Sequence, residues 1–164
     1  MTEPYGSDSS RPDGRVFYLP PGVEQLELFV GGIAYPNGIV VSPNGKVVYV
    51  AEFAKNRIIA APAIGQTGAQ VPHVFYQFNG GFGPDGLAVD SEGNLYVARL
   101  EAGMVSIIDP NGFSYGDIIL PEGSGTGLSN IALYDGYMYV CESFKSEVWR
   151  IKINKQAADT YGLQ

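Results

Sequence analysis

Three blocks recur along the chain at nearly equal spacing, and this repeat limits the possible folds more than any other feature. The middle block spans residues 83–112: GPDGLAV, the break DSEGN, LYVA, then MVSII closed by DPNG. Upstream, residues 36–51 read PNGIVV, SPNGK and VVYVA; downstream, residues 129–141 read SNIAL, YDG and YMYVC. Asn37, Asp85 and Asn130 hold equivalent places, 48 and 45 residues apart. The apolar runs are too short for ordinary helices, and their β-branched and aromatic content between Gly, Asn, Asp and Pro breaks signals hairpins.

A period of about 40–50 residues carrying some four strands is the mark of a β-propeller blade. The sequence therefore predicts an all-β chain of about three four-stranded blades over residues 14–153. Residues 1–13 form a flexible leading segment and 154–164 a polar tail. Strands are expected at 15–19 and 25–30. Blade one takes strands at 38–41, 47–51, 57–61 and 74–78, with 63–71 as a connection. Blade two begins near Gly83 and ends with an outer strand at 117–120. Blade three has strands at 130–133, 137–141 and 147–153 and lacks a fourth. Propellers close with about four to eight blades, so a six-bladed ring would need a second copy of the chain. Strand 25–30 is a candidate to pair with 147–153 of that copy, and strand 15–19 is left over.

The 164 residues carry a net charge of −7 with no Lys/Arg cluster, which argues against a nucleic-acid partner. Cys141 is the only cysteine, so no intrachain disulfide exists, and its place in an alternating strand reads as a buried thiol. No apolar run approaches a membrane span. The polar start carries no signal-peptide pattern, and a cytoplasmic protein is the expectation.

Asn37, Asp85 and Asn130 each precede the innermost strand of a blade, where side chains can converge on a central channel. One carboxylate and two amide oxygens make a hard-oxygen set. Such a set suits calcium first, with magnesium, manganese, zinc or ferrous iron also open. The alternative is equally concrete: Pro-Asn-Gly and Pro-Asp-Gly are common turn tripeptides, as at Asn44 and Asn111. Glu52, Arg99 and Glu142 follow the second strand of successive blades and are either channel or substrate-contacting groups, or solvated loop ends. His73 begins an outer strand and reads as structural. Tyr49, Tyr96 and Tyr139 repeat in second strands and read as packing residues. No nucleophile–His constellation and no phosphate loop is present.

The run GPDGLAVDSEGNLYVA from Gly83, FVGGIAYPNGIVVSPNGKVVYVAE from Phe29, AKNRI from Ala54 and SNIA from Ser129 resemble the gluconolactonase/regucalcin-like family, in its C-terminal half. The resemblance implies a six-bladed propeller with a divalent metal in its channel, and hydrolysis of a lactone. It implies Asn37 and Asp85 as metal ligands, Asp85 as base or activator of water, and Asn130 as a channel residue near the metal. The family's first metal-binding Glu belongs to a blade that this chain lacks. A non-catalytic metal-binding or interaction half-propeller is the alternative, as is an organophosphate-hydrolysing or strictosidine-synthase-like activity.

Overall fold

The computed structural model describes residues 1–65 and 71–158. Every element but one short 3-10 turn, Phe53–Lys55, is a strand: β1 Thr2–Glu3, β2 Gly14–Tyr18, β3 Glu27–Ile33, β4 Pro36–Val41, β5 Val47–Glu52, β6 Arg57–Pro62, β7 His73–Gln77, β8 Gly83–Val89, β9 Leu95–Leu100, β10 Met104–Ile108, β11 Ser114–Ile119, β12 Leu128–Tyr134, β13 Tyr137–Glu142 and β14 Glu147–Lys152. They form four antiparallel sheets in chain order: β1-β2-β3, β4-β5-β6-β7, β8-β9-β10-β11 and β12-β13-β14.

The all-β expectation stands, but the β-propeller of three four-stranded blades does not. The sheets have three, four, four and three strands, and none closes on itself. The reason is local. Within each sheet the strands pair in sequence order, and among the described residues no ladder joins the first strand of a sheet to its last. The leading residues also do more than expected, because Thr2–Glu3 pairs with Val16 and Arg15 and adds a strand to the first sheet. Part of the 63–71 connection, and the end of the 154–164 tail, lie outside the described residues.

Alternation along the second strands builds the core between consecutive sheets. Val48 and Val50 of β5 pack with Val16 and Ile33 of the first sheet. On its other face β5 presents Tyr49 and Ala51 to Leu87, Leu95 and Val97 of the third. One period later Tyr96 and Ala98 face Ile131, Met138 and Val140 of the fourth. The repeated Val and Tyr of the second strands thus serve opposite faces of each sheet.

The chain then returns from β14 to the end of β8. Ser91 N–H donates to Gln156 O at 2.9 Å and Ala158 N–H to Val89 O at 3.1 Å. Lys155 pairs with Glu92 at 2.7 Å. Residues 154–158 therefore tie the third sheet to the fourth.

Candidate functional site

The first strands of three sheets, β4, β8 and β12, each contain a one-residue bulge at the same place. Asn37 and Gly38 lie opposite one residue of β5, Asp85 and Gly86 opposite one of β9, and Ser129 and Asn130 opposite one of β13. The Pro-Asn-Gly and Pro-Asp-Gly tripeptides at these points are therefore strand bulges and not turns. Pro43-Asn44-Gly45 and Pro110-Asn111-Gly112 are turns, as the alternative reading holds for them. A bulge re-aims a side chain at the end of a sheet. The register also refines the repeat: Ser129 is the counterpart of Asn37 and Asp85, and Asn130 stands where the other two blocks have glycine.

Those glycines are required by close approach. A methyl group at Gly38 would overlap the Asp85 carbonyl oxygen and lie 2.9 Å from Leu87 N. At Gly86 it would overlap the Asn130 side-chain oxygen and lie 2.6 Å from Asn130 Cα. The bare backbone brings β4, β8 and β12 together, and with them Asn37, Asp85 and Asn130.

Asn37 stands beside Asp85 and favours its ionised carboxylate, while burial, the larger influence, pushes the Asp85 carboxyl up to about 6. Both residues are half-buried, whereas Asn130 is exposed, with Oδ1 accepting from Ile131 N–H at 2.9 Å. Among the described residues no group of three or more His, Cys, Asp and Glu comes together. The donor set is one carboxylate with amide oxygens beside it. Burial and Asn37 are the influences on Asp85, with no cationic side chain among them. A hard divalent cation fits this chemistry, because it supplies the missing positive charge to oxygen donors.

Glu52, Arg99 and Glu142 sit at the same end but turn away from solvent, at 1%, 4% and 1% exposure. Glu52 accepts from Ala34 N–H at 2.8 Å and pairs with Arg57 and with Lys55 at 3.5 Å. Glu142 accepts from Gly127 N–H at 2.5 Å and from Lys145 N–H at 2.6 Å. Arg99 donates to Gly80 O at 2.6 Å and Asn79 O at 3.2 Å, over the Phe78 ring at 3.9 Å, and burial lowers its pKa. Each therefore holds the loop that leads into β4, β8 or β12. The charge sign follows the backbone group met: carboxylates take N–H groups and the guanidinium takes carbonyls.

Asp90 was not singled out by sequence reasoning, yet it is fully buried. It accepts from Glu92 N–H, Asn94 N–H, the Asn94 side chain and the Tyr96 hydroxyl, at 3.0, 2.9, 2.8 and 3.3 Å. Its signal was an Asp opening a Gly-Asn turn, where side-chain oxygens commonly cap backbone N–H groups. His73 opens β7, exposed, with Nδ1 3.0 Å from Val71 O. Cys141 is half-buried, without a disulfide. Among the described residues no helix is long and apolar enough to cross a membrane.

Comparison with known proteins places this arrangement. The sequence profile of the SMP-30/Gluconolactonase/LRE-like region matches residues 2–133, most of the chain. The chain belongs to the SMP-30/gluconolactonase/LRE-like family. Lactonase drp35 of Staphylococcus aureus (strain MRSA252) is 36% identical over 120 residues, which cover 70% of this chain and 36% of that protein. Lactonase drp35 of Staphylococcus epidermidis (strain ATCC 12228 / FDA PCI 1200) is 36% identical over 119 residues, covering 69% and 36%. The matched region is thus about a third of these SMP-30/gluconolactonase/LRE-like relatives. Among solved structures, regucalcin of Agrobacterium tumefaciens, described as a calcium-binding protein, superposes with a TM-score of 0.74 at 21% identity, over 89% of this chain and 54% of that one. A gluconolactonase of Xanthomonas campestris gives 0.71 at 24% identity, over 86% and 45%. These two likenesses concern the fold alone.

Proposed function

We propose that this chain carries part of a divalent-metal-dependent site that hydrolyses a lactone. The observation that carries the reading is the Asn37–Asp85 pair, a half-buried carboxylate and its amide partner set by bulges at the ends of β4 and β8. Membership in the family, and the lactonases among its relatives, supply the substrate class.

Asn37 and Asp85 would hold the cation, with Asn130 beside them, and calcium is the first candidate. When bound, the cation supplies Lewis-acid polarisation of the lactone carbonyl. The residues of the chain do the rest. Asn37 favours the ionised form of the Asp85 carboxylate beside it. Ionised Asp85 takes a proton from an attacking water as the water oxygen bonds to the acyl carbon. The same proton then passes to the ring oxygen as the acyl C–O bond breaks, giving an open-chain hydroxy acid. Glu52, Arg99 and Glu142 act on the loops that aim these groups.

A second copy of the chain is part of the proposal. Among the described residues β3 pairs only with β2 and β14 only with β13, so each has one edge open in its sheet. Titration with calcium, magnesium, manganese and zinc by calorimetry, followed by a lactone screen, tests the site reading. Expected are metal binding and metal-dependent turnover, both reduced at least tenfold in Asp85→Asn. Metal binding without turnover of any lactone favours a non-catalytic binding protein, and unchanged binding in Asp85→Asn removes that residue from the site.

A further inference from the structure

Immediately before Asn37 stands a residue in an unfavourable backbone conformation. Tyr35 has φ 55°, in the left-handed region, where a bulky side chain is a genuine outlier. The other non-glycine residues with positive φ among the described residues are Asn56, Glu101, Asp135, Ser146 and Asn154, all small or polar by comparison. Glycine would hold the Tyr35 position without strain.

The surroundings hold Tyr35 there from several sides. Its N–H donates to Ser7 Oγ at 3.0 Å, and Ser7 Oγ in turn donates to Ile33 O at 2.9 Å. Phe53 N–H donates to Tyr35 O at 3.1 Å. Glu52 holds the preceding residue through Ala34 N–H. An outlier fixed this thoroughly, beside reactive groups, points to a use for its side chain.

The ring meets the Phe53 ring at 5.5 Å between centroids, and 40% of Tyr35 stays exposed. The Phe53 ring backs on the start of β8, where a methyl at Gly83 would lie 3.0 Å from its Cδ2. Tyr35 is two residues before Asn37, and Gly83 two residues before Asp85. The two rings therefore flank the starts of β4 and β8, the strands that carry Asn37 and Asp85. Apolar rings beside a few convergent polar groups are the usual lining of a small-molecule site.

We infer that Tyr35 is a specificity-determining residue: with Phe53 it forms an aromatic wall against which the ring of a lactone lies flat, favouring cyclic over open-chain esters. This inference rests on the hydrolase reading for its ligand class, but not for its test. Two measurements separate them. The first is kcat/KM for δ-valerolactone against an open-chain ester of the same carbon number, in wild type, Tyr35→Phe, Tyr35→Ala and Tyr35→Gly. The expected result is that Tyr35→Phe keeps the wild-type preference. Tyr35→Ala and Tyr35→Gly lose it about tenfold, through KM with kcat little changed. The second is saturation-transfer NMR with δ-valerolactam, a ring that reports binding without turnover, on the same four proteins, each checked for folding by circular dichroism. Lactam binding by wild type and Tyr35→Phe that is lost in Tyr35→Ala and Tyr35→Gly supports the wall even where no lactone is hydrolysed, in which case the hydrolase reading alone falls. Hydrolysis by wild type with an unchanged preference in Tyr35→Ala overturns the wall and leaves the hydrolase. No lactam binding by wild type, or full binding by Tyr35→Gly, also overturns it. Tyr35→Gly relieves the backbone and removes the ring together, so its loss of binding assigns the effect to the ring.

Discussion

Asp85 is held in a state that its fold disfavours at neutral pH. Burial raises its pKa from 3.8 to about 6, so the folded state resists ionisation more than the unfolded chain does. Its contribution to stability is therefore fully present below 3.8 and is lost as pH rises through about 6. Asp85→Asn should raise the melting temperature at pH 7.5 and leave it nearly unchanged at pH 3.5, which differential scanning calorimetry will show. Calcium should raise the melting temperature of the wild type at pH 7.5 and not that of the variant. Glu142 has backbone donors as its partners. Glu142→Ala strands Gly127 N–H and Lys145 N–H, and should cost about 2–4 kcal/mol in urea denaturation. The sequence showed where such residues lie, because Glu52 and Glu142 end a second strand and Arg99 stands one residue before the end of another. It did not show that they turn inward, since the backbone groups they meet come from loops about 15–20 residues away in sequence.

At the scale of elements, the strands were readable because alternation and turn residues agree. Observed β5 at Val47–Glu52, β9 at Leu95–Leu100 and β13 at Tyr137–Glu142 fall where the repeat places them. The Pro-X-Gly tripeptides were ambiguous, because the residues that favour a turn also suit a bulge against a crowded neighbour. What separates the two is contact between sheets, which no local pattern records. Substitution measures it directly. Gly38→Ala forces a methyl onto the Asp85 carbonyl and against the backbone of Gly86 and Leu87, none of which can rotate aside. Gly31→Ala in β3 meets nothing within 4 Å. Chemical denaturation should give a loss of about 1–3 kcal/mol for Gly38→Ala and within about 0.5 kcal/mol of zero for Gly31→Ala. A loss at Gly38 with the Asn37–Asp85 function intact would mean that the bulge serves packing alone.

For the whole molecule, the repeat was legible and its closure was not, because a periodic sequence specifies the faces of each sheet but not what covers the last one. The tyrosines of the second strands make this concrete. Tyr49 is buried by the third sheet and Tyr96 by the fourth. Tyr139 holds the same register in the fourth sheet, pairing with Ala132 and Arg150, and is only half-buried. Around it on that face lie Cys141, half-buried, and Val148, 69% exposed. Tyr49 and Tyr96 are in the core because another sheet packs on them, whereas among the described residues no sheet covers the face of Tyr139. The first sheet has a matching deficit, with Leu28 of β3 exposed beside Phe17 of β2. Apolar faces of this kind favour association. Sedimentation equilibrium across a wide dilution series should therefore show a concentration-dependent dimer. Tyr139→Glu combined with Val148→Glu places two charges on the uncovered face and touches neither Asn37 nor Asp85, and should shift the dimer–monomer midpoint at least tenfold toward monomer. A wild type that is folded and monomeric at every concentration removes self-association as the cover of that face.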